Sequence, residues 1–164
     1  MIKNEHQQRL ILSYKGANLY QGCHPNVYGH RYAWDKVDAI VDLDNGLETA
    51  SDDIWPAFPP FMPEGKIYLR WKIEDGDMPS KRILAVIGKT ISNLIKSGQN
   101  VLVHCAAGQN RSVLVTASAL YYLSNKEWDG EHIYRILKNL QPLALTNQSF
   151  RDFVQTIEQH LGKI

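Results

Sequence analysis

The chain has 164 residues, of which 44% are hydrophobic and 21% are charged, and its formal net charge is +1. These values are typical of a globular protein with one sizeable core, and they give no electrostatic reason to expect binding to nucleic acid or to an anionic membrane. Two cysteines are too few for a disulfide framework, which favours a reducing compartment where a thiol can stay reactive.

The first half of the chain alternates strand patterns with turn signals. Its opening residues are polar, and we expect residues 1–12 to be frayed. A short strand is predicted at 18–22 and a buried strand at 37–43, where the sequence "DNG" ends it. Residues 55–63 contain four prolines and therefore predict a surface loop that could also wall a pocket. Apolar residues then alternate along 67–73, which indicates another strand.

The second half of the chain is mainly helical in pattern. Apolar residues recur at helical spacing between Ser80, a suitable N-cap, and Gly98, a suitable stop just beyond the C-cap. Residues 100–105 predict a short apolar strand, and residues 111–125 predict a mostly apolar, buried helix. Two further amphipathic helices are predicted at 129–142 and 147–161. This order predicts an α/β fold with a central, mostly parallel sheet flanked by helices, in one domain over residues 1–164.

The segment "VLVHCAAGQNRSVLV", residues 101–115, places Cys105 between a predicted strand and a predicted helix. Open α/β sheets bind ligands at this edge, and helix N-termini attract anions. Small residues and Gly108 let the backbone turn with its N–H groups facing inward. The loop amides, the helix end and Arg111 should favour the thiolate of Cys105, and the guanidinium suits two oxygens of a phosphate. The segment is therefore equipped for nucleophilic attack on phosphorus.

A single cysteine before a helix is more often a buried structural residue, with a nearby arginine in a surface ion pair. Here five residues stand together at fixed spacing: His104, Cys105, Gly108, Arg111 and Ser112. This combination is improbable by average residue usage, and it favours a functional loop over the structural interpretation.

The motif resembles the signature His-Cys-x-x-Gly-x-x-Arg-Ser/Thr of the cysteine-dependent protein tyrosine phosphatase superfamily. Ala107 and Gly108 are similar to the Ala-Gly of its dual-specificity branch. The segments "NLYQGCHPN", "VDAIVDL", "WKIEDGDMP" and "QPLALTNQSFRDFV" resemble other parts of that family, so the likeness extends over roughly residues 17–160. It implies the phosphotyrosine protein phosphatase-like fold and hydrolysis of phosphotyrosine, phosphoserine or phosphothreonine in proteins.

The resemblance also implies roles for individual residues. Cys105 would be the nucleophile, Ser112 would donate a hydrogen bond to the sulfur as it leaves, and His104 would support the loop. The residues that would bind phosphate are Ala106, Ala107, Gly108, Gln109, Asn110 and Arg111. The implied mechanism uses no metal or other cofactor, and no ligand cluster of zinc spacing is present in the sequence.

The resemblance further implies an aspartate on a mobile loop as general acid. Asp75 directly follows a predicted strand and is the preferred candidate, with Asp77 as the competing one. Taken alone, the sequence "EDGD" is better explained as a solvated acidic turn. Asn147 occupies a position similar to one of the family, and Gln148 could position the hydrolytic water.

Several alternatives remain open from the sequence. The protein could be a phosphate-binding pseudophosphatase, although intact Cys105, Asp75 and Arg111 argue against this. The substrate could instead be a phosphoinositide, a nucleotide or an RNA 5′-phosphate. Asn110 beside Arg111 resembles the RNA 5′-triphosphatase relatives, whose usual Thr-His is replaced here by two alanines. A rhodanese-like sulfur transferase is disfavoured, because it would not explain the presence of the arginine and the serine of the motif.

The expected partner is a phosphorylated protein or a small phosphoester, with no membrane or nucleic acid involved. No run of the sequence approaches the roughly 18 apolar residues that a membrane-spanning helix requires. The N-terminus has no apolar signal-peptide region. We therefore expect a cytoplasmic monomer.

Overall fold

The computed structural model of the protein describes residues 8–24, 34–44 and 63–164. The proline-rich loop predicted at 55–63 lies outside the described residues except for Pro63, as do the first seven residues of the chain.

A single mixed sheet forms the centre of the part of the chain that the structure describes. Its strands are β1 (Arg9–Tyr14), β2 (Ala17–Cys23), β3 (Ala39–Asp42), β4 (Ile67–Arg70) and β5 (Val101–Cys105). They lie in the order β1-β2-β5-β3-β4, and every neighbouring pair is parallel except β1 with β2. The predicted mostly parallel α/β sheet is confirmed.

The edge strand β1 corrects the prediction of a frayed segment at residues 9–12, because Arg9, Leu10 and Leu12 are paired with β2. Lys15 and Gly16 join the two strands with φ values of +48° and +92°. Positive φ at both central residues is the geometry of the two-residue hairpin turn that matches strand twist. Ile11 points into the core and is 8% exposed, so burial of this side chain helps to hold the edge strand in place.

The helices are α1 (Lys81–Lys96), α2 (Arg111–Leu123), α3 (Gly130–Leu140), α4 (Gln148–Gln155) and α5 (Ile157–Leu161). The predicted ends of α1 are confirmed. The backbone N–H of Ile83 donates to the Ser80 hydroxyl oxygen, and Gly98 adopts a φ of +93° just beyond the C-cap Ser97. A side-chain acceptor at the N-cap and a left-handed glycine at the C-terminus satisfy backbone groups that the helix itself leaves unpaired.

The last helix is divided, whereas the sequence predicted one continuous helix over 147–161. Thr156 separates α4 from α5 with φ −127° and ψ 30°, outside the helical region. Its hydroxyl donates to the carbonyl of Asp152 at 2.8 Å. A threonine bonded back to the preceding turn competes with the helical ladder, which accounts for the break. The apolar stripe survives it, because Phe153 and Ile157 on either side are both buried.

The central strands bury residues on both faces of the sheet. Ala39 and Val41 of β3 face the main core, which contains residues of α1 to α5, whereas Ile40 packs with Trp34 and Leu102 in a smaller cluster. Every residue of α2 is buried, because this helix packs against α1, α3, α4 and β5. The connection between β5 and α2 is therefore anchored at both ends by buried elements.

Candidate active site

The connection between β5 and α2 consists of residues 106–110, here called the phosphate loop, and it lies at the carboxyl edge of the central strands. Parallel pairing sets Cys23 of β2 beside Cys105 and Asp42 of β3 beside His104. Gly108 is buried and the other four loop residues are half-buried. The loop is thus a partly accessible turn between two buried elements.

The carbonyls of the phosphate loop are held by its surroundings. The carbonyl of Ala106 accepts from the N–H of His24 at 3.0 Å, and that of Gln109 accepts from the N–H of Leu145 at 2.8 Å. The carbonyl of Gly108 accepts from Nε2 of Gln21 at 2.8 Å. A trans peptide points its N–H opposite to its carbonyl, so the N–H groups that follow these carbonyls point away from the groups that hold the carbonyls. An anion nest requires N–H groups turned to one side of a loop in this way.

Gly108 is required by the close approach of the loop to β2. Its φ is +71°, and a Cβ at this position would lie 2.6 Å from the backbone nitrogen of Cys23 and 2.6 Å from the carbonyl carbon of Gly22. Both contacts are with backbone inside the sheet, which has little freedom to retreat. The prediction that glycine permits this turn agrees with the geometry.

The N-terminus of α2 begins directly after the loop, with Asn110 as its N-cap residue. The side chain of Asn110 makes no capping hydrogen bond to the helix. Its Oδ1 instead accepts from the backbone N–H of Asn147 at 3.0 Å and from the hydroxyl of Thr146 at 3.2 Å. The first turn of α2 can therefore direct its N–H groups and the positive end of its dipole to an anion.

Cys105 lies at the floor of the loop. The residue is 2% exposed, and its Sγ lies 3.2 Å from Oγ of Ser112 in the first turn of α2. Ser112 itself is fully buried. The residue predicted to be the nucleophile and the residue predicted to donate a hydrogen bond to its sulfur are therefore in direct contact.

Arg111 is held by groups that approach from two segments of the chain. Its Nη1 donates to the carbonyl of Ile73 at 3.2 Å and to that of Leu43 at 3.4 Å. The same nitrogen lies 3.5 Å from Oδ1 of Asp44. Arginine and aspartate side chains are each 7% exposed, so this ion pair is strongly shielded from water.

Asp44 was missed by the sequence analysis. It follows β3 by two residues, and the only signal was a second acidic residue after the apolar run "AIVDLD". Its place at the carboxyl end of a strand next to β5 is what brings it to the arginine.

Asp75 lies near a different nitrogen of the same arginine. Its Oδ1 is 3.8 Å from Nε of Arg111, and its side chain is 55% exposed. Nδ2 of Asn147 donates to the backbone carbonyl of Asp75 at 3.2 Å. Asp77 follows two residues later on the same exposed turn. The geometry thus brings Asp75 to the predicted phosphate-binding residues, in keeping with its preference over Asp77.

The side chain of Asn147 makes hydrogen bonds to two different elements. Its Oδ1 accepts from the N–H of Phe150 and so caps α4, while its Nδ2 donates to the turn that carries Asp75.

Gln148, the predicted water-positioning residue, is exposed and bonds to Arg151 and Asp152 on its own helix. The structure does not bring Gln148 to the phosphate loop, because the first turn of α4 directs it along the helix surface.

His104 supports the loop from behind. It is fully buried, and burial lowers its pKa to about 4, against the opposing effect of Asp42, whose Oδ1 lies 3.8 Å from Nε2. Its ring and the ring of His24 form a T-shaped pair, with 5.0 Å between centroids. At neutral pH the ring is therefore uncharged, which makes it a packing and orienting group with no positive charge to offer the thiolate.

Cys23 is the second cysteine of the chain and lies beside Cys105 in the sheet register. The two are not joined by a disulfide. Burial raises the pKa of Cys23 to about 11, so its thiol stays protonated at neutral pH. The expectation that Cys23 is a small buried residue agrees with its complete burial.

Neither a metal-ligand cluster nor a membrane-spanning helix is found in the described ranges, 8–24, 34–44 and 63–164. No group of three or more His, Cys, Asp or Glu residues there is placed to hold a metal ion. No helix there combines the length and apolarity needed to cross a membrane.

Comparison with known proteins points to one family. The model of the dual specificity phosphatase catalytic domain matches residues 34–160. No curated protein sequence matches the chain.

Solved structures share the fold over nearly the whole chain. The active form of Tk-PTP is 22% identical, with a TM-score of 0.70 over 96% of this chain and 97% of that one. A kinase-associated phosphatase, whose catalytic-site cysteine is replaced by serine, is 17% identical, with a TM-score of 0.73 over 97% of each chain. PTPMT1 in complex with PI(5)P is 17% identical, with a TM-score of 0.68 over 95% of this chain and 97% of that one. At these identities the likeness establishes the fold.

Proposed function

Because the chain belongs to the dual specificity phosphatase catalytic-domain family, we propose that it hydrolyses phosphate monoesters on tyrosine and on serine or threonine residues of proteins. The reaction would pass through a cysteinyl-phosphate on Cys105. The observation that carries this proposal is the contact of 3.2 Å between its Sγ and Oγ of Ser112, at the floor of a loop whose carbonyls face away. The partner would be a phosphorylated protein, met by a monomer in the cytoplasm.

Binding of the phosphate would use the N–H groups of the phosphate loop together with Arg111. Asp44 and two backbone carbonyls hold Nη1 of the arginine and so fix the plane of the guanidinium. A preorganised donor set costs no reorientation when the charge on the phosphate oxygens changes during the reaction. The side chain would thus be oriented before the substrate arrives.

In the first step, an electron pair of the Cys105 thiolate forms the S–P bond while the bond from phosphorus to the ester oxygen breaks. The electron pair of the broken bond goes to the departing oxygen, which takes a proton from the carboxyl group of Asp75. Exposure of Asp75 beside Arg111 supports this role, because a group there can reach both bound phosphate and solvent.

In the second step, a water molecule attacks phosphorus and gives a proton to the Asp75 carboxylate. The S–P bond breaks, its electron pair returns to Cys105, and inorganic phosphate leaves. The hydroxyl of Ser112 can donate a hydrogen bond to the sulfur as its negative charge develops, which lowers the barrier to this step.

The substrate class is suggested by one structural neighbour and by the charge of the phosphate loop. PTPMT1, one of the structural neighbours, was solved with PI(5)P, and this likeness supports testing a phosphoinositide beside phosphopeptides. The phosphate loop contains no lysine between Cys105 and Arg111, so it offers no second cation for a highly charged headgroup. This favours a singly phosphorylated substrate.

The decisive experiment compares the wild-type protein with the Cys105→Ser variant on p-nitrophenyl phosphate without added metal. We expect turnover by the wild type that vanadate inhibits, and no turnover by the variant. Equal turnover in the two proteins would remove the proposal, and phosphate binding without turnover would indicate a pseudophosphatase. A panel of phosphotyrosine, phosphoserine and phosphothreonine peptides and a phosphoinositide then identifies the substrate class.

A further inference from the structure

Gln21 has no role in the mechanism above, yet it lies directly behind the nucleophile. This residue of β2 is completely buried, in a strand whose other buried side chains, Ala17, Leu19 and Cys23, are apolar. A glutamine loses solvation and side-chain freedom when it is buried, so its hydrogen bonds have to offset that cost. Both bonds of its Nε2 go to the catalytic segment, at 2.8 Å to the carbonyl of Gly108 and 2.8 Å to Oγ of Ser112.

The carbonyl of Gly108 settles which end of the amide faces the site. A backbone carbonyl only accepts, so the atom 2.8 Å from it has to be the NH₂ group of Gln21. The second hydrogen of that NH₂ group then points to Ser112, and the serine oxygen has to accept it. The direction of this hydrogen bond follows from the neighbours of the amide.

Donation by Gln21 restricts what Ser112 can do with its single proton. Among the described residues, the hydroxyl has two remaining polar neighbours, Sγ of Cys105 at 3.2 Å and the carbonyl of Gly22 at 3.5 Å. An O–H···O bond normally spans about 2.5–3.0 Å, so 3.5 Å is a poor contact, whereas 3.2 Å is short for the larger sulfur atom. The hydroxyl of Ser112 is therefore best placed to donate its hydrogen bond to the sulfur of Cys105.

We propose that Gln21 is a positioning residue for catalysis, which holds the Ser112 hydroxyl with its proton directed at Cys105. It acts on the thiolate through Ser112 and at the same time fixes the carbonyl of Gly108. A hydrogen bond received by a hydroxyl polarises its O–H, so the bond that Ser112 donates to the sulfur becomes stronger. This inference rests on the proposed role of Cys105 as nucleophile.

The chain contains a matched control for this effect. Nε2 of Gln141 also donates to the carbonyl of Gly108, at 3.4 Å, and Gln141 is likewise buried. It makes no contact with Ser112 among the hydrogen bonds of the described residues. Replacement of Gln21 and of Gln141 by methionine therefore separates orientation of the serine from support of the loop carbonyl.

The test measures alkylation of Cys105 by iodoacetamide as a function of pH, with peptide mass spectrometry to distinguish it from Cys23. We expect Gln21→Met to move the midpoint of alkylation up by about one pH unit, because a hydrogen bond to a charged group is weakened. Alkylation below both midpoints should slow about tenfold. Gln141→Met should leave the midpoint where it is in the wild type.

A Ser112→Ala background provides the second measurement. If Gln21 acts through Ser112, the Gln21→Met change adds no further shift of the midpoint in that background. Equal shifts with and without Ser112, an unchanged midpoint in Gln21→Met, or the same shift in Gln141→Met would each overturn the inference. Gln21→Leu gives an independent reading if the methionine variant does not reach the wild-type melting temperature.

The alkylation rate of Cys105 is measured without any substrate, so it does not depend on phosphatase activity. Loss of the proposed phosphatase activity and failure of the Gln21 inference therefore give different results. Where turnover is present, Gln21→Met should lower kcat more than it raises KM, because the sulfur leaves in the step that the serine assists.

Discussion

Replacement of Gly108 by alanine isolates the close approach between the phosphate loop and β2. Gly65 provides a matched control, since its φ of +78° is close to the +71° of Gly108, but a Cβ there meets nothing within 4 Å. Both substitutions carry the cost of a non-glycine residue in the left-handed region, about 1–2 kcal/mol. Only Gly108→Ala adds a steric conflict.

The size of that conflict follows from the distances. The new Cβ would lie 2.6 Å from two backbone atoms of β2, and ordinary contacts begin at 3.4 Å, so the loop has to move by about 0.8 Å. A displacement of about 1 Å in a catalytic group can cost roughly 100-fold in rate. We therefore expect kcat/KM of Gly108→Ala to fall about 100-fold. Its free energy of unfolding should also fall by more than the roughly 1–2 kcal/mol lost in Gly65→Ala.

Two assays check these values: hydrolysis of p-nitrophenyl phosphate for kcat/KM and urea denaturation for the free energy of unfolding. Gly65→Ala should keep the wild-type kcat/KM. The reasoning is refuted if Gly108→Ala keeps kcat/KM within about threefold of wild type and loses no more stability than the control, since about 100-fold is expected.

Three further predictions test the rest of the site. Asp75→Asn should lower kcat by about 100-fold or more on alkyl phosphates and much less on p-nitrophenyl phosphate, whose leaving group needs no proton, and Asp77→Asn should match the wild type on both. Asn147→Ser should keep the cap of α4 but lose the hydrogen bond to the Asp75 carbonyl, so kcat/KM falls about fivefold with little loss of stability. Asn147→Ala should also lower the free energy of unfolding by about 1 kcal/mol, because the cap is lost. Wild-type activity in the serine variant would contradict this prediction. His104 has a pKa of about 4 when folded and near 6.5 when unfolded, so the unfolded state binds more protons between these values, and stability present above pH 6.5 is lost as the pH falls toward 4. The loss is about 3 kcal/mol, and urea denaturation at several pH values should show a weaker pH dependence in His104→Gln than in the wild type.

The sequence was most informative where a local motif and a local structure coincide. The ends of α1 follow from Ser80 and Gly98, and the turn at Gly108 follows from a glycine among small residues. Each depends on backbone geometry over a few residues, which neighbouring side chains largely control. The same is true of the contact between Cys105 and Ser112, since a loop of fixed length joins the strand to the helix.

Elsewhere the local pattern was insufficient. The edge strand β1 escaped the analysis because its hairpin turn uses Lys15 and Gly16, a pair weaker as a signal than Asn-Gly. The division of the last helix depends on the hydroxyl of Thr156, whereas the apolar stripe on both sides is continuous. Gln148 matched an expected role in sequence, yet its side chain bonds along α4.

The sequence by itself determined the motif proposed to supply the nucleophile and the anion-binding loop, together with the alternation of strands and helices, because these are properties of contiguous residues. Only the tertiary structure decided which distant groups support them. Asp44 and Gln21 reach Arg111 and Ser112 across sequence separations of 67 and 91 residues, because β2, β5 and β3 are neighbours in the sheet and end at the same edge. Strand order arises from the packing of the whole core, so a residue at a strand end acquires its partners only when the fold is complete.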